Sequence, residues 1–110
     1  MWMVRYLSEA EAERDALPAQ ERAAMINADK KLRALGPNLP APHSSDVRGV
    51  KATLRELRPR GGRSPHRGLY RQVGQVFVIA AIGPDGKSDS RGFNRAVQRA
   101  LERLEKVEES

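Results

Sequence analysis

Residues 58 to 74, RPRGGRSPHRGLYRQVG, hold five arginines (Arg58, Arg60, Arg63, Arg67 and Arg71), one histidine, one tyrosine and no acid. Arginine suits phosphate, because its planar fork of N–H donors binds two oxygens at once and keeps its charge at neutral pH. Such groups can hold a polyanion passively, or stabilise the extra charge that builds on phosphorus as a phosphodiester is cut. An imidazole can exchange a proton near neutral pH, which makes His66 a candidate base, with an ordinary surface histidine as the alternative. Tyr70 offers a hydroxyl, although packing with that hydroxyl satisfied is its commoner role.

Other chemistries find little support. Only His43 and His66 are present, with no H-x-x-x-H spacing or carboxylate cluster beside them, so metal catalysis is not indicated. Gly61-Gly62 leads towards Pro65 and a strand, which is not the glycine-rich turn into a helix that cradles nucleotide phosphates. A Ser44, His66 and Asp46 triad can be assembled on paper, but no spacing specifies it. Cysteine is absent, which excludes disulfides and thiolate metal sites.

The charge distribution sharpens the phosphate reading. Residues 1 to 46 hold six Lys/Arg against seven Asp/Glu, residues 48 to 72 hold eight against one, and residues 73 to 110 hold six against six. The whole excess of the +6 chain therefore lies in one segment, and charge gathered in this way creates a local field for polyanions. The alternative is a solvated, arginine-rich edge that resists aggregation. With 110 residues, 39% hydrophobic and 31% charged, a single domain over 1–110 is expected. No apolar run reaches the length of a membrane span, and MWMV is too short for a signal peptide, so a cytoplasmic location is expected.

The elements that must position these side chains follow from periodicity. MWMVRYL (1–7) places Trp2, Val4 and Tyr6 on one face of a first strand. Ser8 and Glu11 have the spacing of a capping box that would open a helix, ending near Leu17 before Pro18. A second helix spans Ala19 to Leu35, with Met25, Ala28, Leu32 and Leu35 on one face; Gly36 in the left-handed conformation and Pro37 would end it. Residues 37 to 50 read as a proline-rich surface loop, and Thr53 to Arg58 as a strand. His66 to Val73 and Val76 to Ile82 form a hairpin through Gly74-Gln75. Arg67, Leu69, Arg71 and Val73 then point one way, and His66, Gly68, Tyr70 and Gln72 the other. VFVIAAI, apolar throughout, suits a central strand. After a Pro84-Asp85-Gly86 turn, a helix from about Arg91 gathers Phe93, Val97, Ala100, Leu104 and Val107 on one face.

Several of these stretches also carry a family resemblance. Leu32-Arg33-Ala34-Leu35-Gly36-Pro37-Asn38-Leu39 resembles the L-x-x-L-G-P-N-L helix end of the HigB-like toxins, a branch of the RelE/ParE toxin-antitoxin superfamily. Glu56-Leu57-Arg58 is similar to that branch's E-L-R strand, and His66-Arg67-Gly68-Leu69-Tyr70 to the Y-R-x-x-Y strand of the superfamily. The resemblance implies an α+β fold of order β-α-α-β-β-β-α. In it a small, twisted, mostly antiparallel sheet packs against a helical hairpin, with a C-terminal helix.

It also implies an activity: metal-independent cutting of messenger RNA, usually on the ribosome, held in check by a cognate antitoxin, with no small-molecule cofactor and no membrane partner. On this resemblance the catalytic candidates are Arg67 at the scissile phosphate, Lys87 as a second cation, Tyr70, and His66 as base. Lys51, Arg55, Arg58, Arg60, Arg63, Arg71 and Arg91 would hold the RNA. Arg67 is expected to be exposed, and so dispensable for folding.

Three departures matter. Phe93 stands where related nucleases have an acid-base tyrosine; Leu54 and Glu56 replace second-strand lysines; and Ala81 to Lys87 replaces an H-G-F-x-K-K stretch. A ParE-like topoisomerase inhibitor and a non-catalytic nucleic-acid binder are the alternative readings.

Overall fold

The computed structural model describes residues 1–109. The chain runs β1 (Met3–Tyr6), α1 (Ser8–Asp15), α2 (Ala19–Leu35), a 3₁₀ turn (Gly36–Asn38), β2 (Ser44–Asp46), β3 (Arg55–Leu57), a second 3₁₀ turn (Pro59–Gly62), β4 (His66–Val73), β5 (Val76–Pro84) and α3 (Ser90–Glu109). The five strands make one sheet in the order β1-β5-β4-β3-β2, antiparallel except for the parallel β1–β5 pair. No described helix is long and apolar enough to cross a membrane.

Two apolar layers cover the two faces of this sheet, as the alternation within each strand requires. On one face Met25, Ala28 and Leu32 of α2 and Ala10 of α1 pack with Val4, Leu57, Tyr70, Phe77 and Ile79. On the other, Ala96, Val97, Ala100 and Leu104 of α3 pack with Leu54, Leu69, Val78, Ala80 and Ala81. Strand β5 is buried on both sides, as its unbroken apolar run predicts.

The pairing of β4 with β5 shifts between Leu69↔Ala81 and Tyr70↔Ile79, which leaves Ala80 without an opposite residue. This bulge lets Ala80 and Ala81 both join the α3 layer, so the alternation resumes in phase on either side of it.

Some local expectations are corrected. Ser8 and Glu11 do not form a capping box: Leu7 is the residue at the N-cap, no side chain caps the helix, and the Ser8 hydroxyl bonds the Glu9 carboxylate. The cap lies instead on α3, where the Asp89 carboxylate accepts the Gly92 amide at 2.8 Å. The expected loop of 37–50 contains β2, an edge strand paired with β3 as Ser44↔Leu57 and Asp46↔Arg55. Three residues without hydrophobic alternation give no strand signal; the neighbouring edge selects them.

Gly36 does take a positive φ (55°), but with ψ at −127° it is not in the left-handed helical region. Its need for glycine comes from packing as well: a Cβ there would lie 2.5 Å from Nε1 of Trp2. Trp2 is half-buried between this turn and Phe77, its ring edge-on to Phe77 at 5.7 Å.

Candidate functional site

The β3–β4 pairing aligns Leu57 with Gly68 and Glu56 with Leu69. Side-chain alternation then places Glu56 and Arg67 on the α3 side of the sheet. Arg67 Nε donates to Glu56 Oε1 at 3.2 Å, and Arg58 Nε lies 3.4 Å from the same oxygen. The other Glu56 oxygen, Oε2, has no hydrogen-bond partner among the described residues, and the side chain keeps 17% of its exposure.

The rest of the Arg67 guanidinium faces the turn that precedes its own strand. Nη1 donates to the carbonyls of Ser64 (2.6 Å) and His66 (2.9 Å), and Nη2 to that of Gly62 (3.3 Å). Arg67 is therefore buried, at 5% exposure, and not the exposed residue expected from the sequence. Glycine-rich turns leave carbonyls unpaired, and a guanidinium with five donors is well matched to collect them.

The loop before α3 closes the same region. The Asp85 amide donates to the Pro65 carbonyl at 2.8 Å, which ties this loop to the turn before β4. The Asp85 carboxylate accepts the amides of Lys87 and Ser88 and the Ser88 hydroxyl. The Ser88 amide and hydroxyl, helped by the charge of Arg67 and the Lys87 amide, outweigh burial and hold the Asp85 carboxyl below the usual range. Lys87 stands exposed on this anchored loop, and Phe93 packs against Gly86 just behind it.

The structure thus brings Arg58 and Arg67 together on Glu56, with the Lys87 loop tied to the turn before β4, and disperses the remaining candidates. Arg60 bonds Glu21 Oε2 (2.6 Å) and the Gln20 carbonyl, bolting the 3₁₀ turn to α2. Arg63 is exposed and caps the Arg60 carbonyl. Arg71 spans the Thr53 carbonyl and Glu108, at the far end of α3, beside a cleft of about 470 Å³ that also takes in Lys51. Arg55 pairs with Asp46 and Ser44 on the helical-hairpin face. Tyr70 is buried on that face too, its hydroxyl 2.5 Å from Ser44 Oγ.

His66 is half-buried, and its backbone amide bonds Ser64 Oγ; on alternation its ring lies on the face opposite Arg67. Arg91 is exposed in the first turn of α3. The five arginines of 58–74 consequently form no single basic face; most of them tie turns and strands to neighbouring elements.

Glu56 is the residue that the sequence registered only as a departure. Its signal was present: it is the one acid in residues 48 to 72, and such an acid tends to be held among its basic neighbours. Among the described residues no His, Asp and Glu are grouped as a metal site.

An open-edged mixed sheet with a helical hairpin on one face and a C-terminal helix on the other defines a RelE-like α+β fold, and solved structures agree. The chain superposes on the RelBE2 toxin-antitoxin complex of Mycobacterium tuberculosis with a TM-score of 0.58 at 22% identity, covering 76% of this chain and 98% of that one. Against the archaeal RelE-RelB complex of Pyrococcus horikoshii the values are 0.61 and 16%, covering 78% and 97%. Against a mutant of the E. coli toxin RelE in the free state they are 0.61 and 15%, covering 89% and 96%. The family described as "Phage derived protein Gp49-like (DUF891)" matches residues 12–105, and the chain belongs to it. No curated protein matches.

Proposed function

We propose that this protein is the toxin of a type II toxin-antitoxin pair, acts in the cytoplasm, and cuts messenger RNA, in the setting of the ribosome, without a metal ion. The fold it shares with toxins solved alone and with RelB antitoxins supports the class. The observation that carries the activity is the cluster at Glu56 and the loop tied to it. Arg58, partly exposed beside the carboxylate, and Lys87, exposed on the loop bonded to the turn before β4, are the cations that would meet a phosphodiester, while Arg67 fixes that turn.

In this reading a ribose 2′-hydroxyl attacks the adjacent phosphorus in line, leaving a cyclic phosphate and a free 5′-hydroxyl. Arg58 and Lys87 bind the phosphoryl oxygens and stabilise the charge that grows on them. Arg67 acts as a positioning residue, because its donors are already committed to Glu56 and three carbonyls. Arg63 and Arg91, both exposed, would guide the RNA backbone. The partner in the resting cell is an antitoxin protein.

The test is induced expression of the wild type and of Lys87→Ala, with primer extension on cellular messenger RNA. New 5′ ends that fall at least tenfold in the variant are expected. Growth arrest with intact RNA and damaged DNA would replace this reading by a topoisomerase inhibitor, a class that the proton-inert Phe93 favours. Neither effect would leave a nucleic-acid binder.

A further inference from the structure

We infer that Glu56 is the proton acceptor of the proposed cleavage, an inference that rests on the ribonuclease reading. Metal-free attack by a 2′-hydroxyl needs a positioned base within reach of that proton. Neither Tyr70 nor His66, the candidates from the sequence, provides it beside Arg58 and Arg67. The Tyr70 hydroxyl is buried against Ser44, on the other face of the sheet, and His66 alternates away from Arg67.

Glu56 has three properties that the role requires. Its carboxylate lies 3.4 Å from Nε of Arg58, one of the cations proposed to hold the phosphate, so a phosphodiester bound there brings its ribose close. Its orientation is fixed, because Arg67 and Arg58 both approach Oε1. Its second oxygen, Oε2, has no hydrogen-bond partner among the described residues and lies on a side chain that retains 17% exposure. An anchored carboxylate with one free oxygen is the arrangement that a general base needs.

The step balances without any added reagent. Glu56 Oε2 takes the 2′-hydroxyl proton as the 2′-oxygen bonds to phosphorus. The bond from phosphorus to the 5′-oxygen breaks, and that oxygen takes a proton from water. The products are a 2′,3′-cyclic phosphate and a 5′-hydroxyl, and the protonated Glu56 returns its proton to solvent. Arg67 then has a catalytic consequence without touching substrate: it aims the base.

The experiment compares wild type, Glu56→Gln and Glu56→Asp in single-turnover cleavage of messenger RNA on programmed ribosomes at pH 7. Binding is measured separately with the same messenger carrying a 2′-O-methyl block at the cut site. Glu56→Gln is expected to cut at least 100-fold more slowly and to bind the blocked RNA within about threefold of wild type.

Glu56→Asp keeps the charge opposite both arginines but withdraws the base by one methylene. It is expected to fold and to cut at least tenfold more slowly, which tests the assignment even if the glutamine variant unfolds. Cleavage within threefold of wild type by either folded variant overturns the role of Glu56 and leaves the ribonuclease reading intact. A wild type that binds programmed ribosomes and cuts nothing overturns the ribonuclease reading itself, and the inference with it.

Discussion

Glu13 on α1 and Arg103 on α3 are joined by two hydrogen bonds of 3.0 Å, and together they complete the edge of β5 where β1 stops. Strand β1 ends its pairing at Tyr6↔Ile79, so the backbone of β5 beyond that point has no strand on that side. The Ile82 amide donates to Glu13 Oε1, and the Ala80 carbonyl accepts from Arg103 Nη1. Two side chains thus satisfy the backbone that a longer β1 would have paired, and they tie two helices 90 residues apart to the sheet.

This relationship predicts an acid-sensitive fold. Partial burial pushes the Glu13 carboxyl up, but the hydrogen bonds from Arg103 and the Ile82 amide prevail and hold it below its ordinary value of 4.5. A depressed folded-state pKa means that the stabilisation is complete above about pH 4.5 and is lost as the pH falls through the lower folded value. Glu13→Ala should cost about 2 kcal/mol at pH 7, because it removes charged hydrogen bonds and strands the Ile82 amide. Urea denaturation at pH 7 and pH 3.5 checks this: the gap between variant and wild type should narrow at the lower pH.

Burial at Arg67 sets a second expectation. Arg67→Ala strands Glu56 and the carbonyls of Gly62, Ser64 and His66, and should destabilise the protein by about 3 kcal/mol. Lys87→Ala, on an exposed side chain, should change stability by less than about 0.5 kcal/mol. Thermal melts of the two variants separate loss of fold from loss of cleavage, and only Lys87→Ala tests the chemistry cleanly.

Gly36→Ala should be costly for two separate reasons. The positive φ of 55° disfavours any side chain, and the added Cβ meets the indole of Trp2. A loss of at least about 2 kcal/mol is expected. Tryptophan fluorescence should shift to longer wavelength, because Trp2 is the one tryptophan and would be pushed from its contact with Phe77. An unchanged melt and spectrum would show that the turn tolerates a side chain.

Tyr70→Phe removes one hydroxyl from the Tyr70, Ser44 and Arg55 chain of hydrogen bonds on the face away from Glu56. It should lower stability by about 1 kcal/mol and leave the single-turnover cleavage rate within about threefold of wild type. A loss of cleavage above tenfold in a folded variant would return Tyr70 to the chemistry.

The sequence by itself determined the elements whose cause is local. The 2-residue alternation of MWMVRYL, the proline after Leu17, the helical spacing of Met25, Ala28 and Leu32, and Gly74 between two apolar strands all act through neighbours in the chain, and each reappears in the structure. It also gave the two faces of β4 correctly, since side-chain direction in a strand depends only on parity.

What only the tertiary structure decided concerns partners distant in sequence. Strand β2 exists because β3 offers an edge; the bulge at Ala80 exists because two helices and two strands must share β5. The arginines show the same division. Composition revealed that residues 48 to 72 are basic, yet whether a guanidinium faces phosphate or a carbonyl depends on what folds against it. Arg60 meets Glu21, Arg71 meets Glu108, and Arg67 turns inward to Glu56. Charge is a property of the residue, whereas the partner that takes it is a property of the fold.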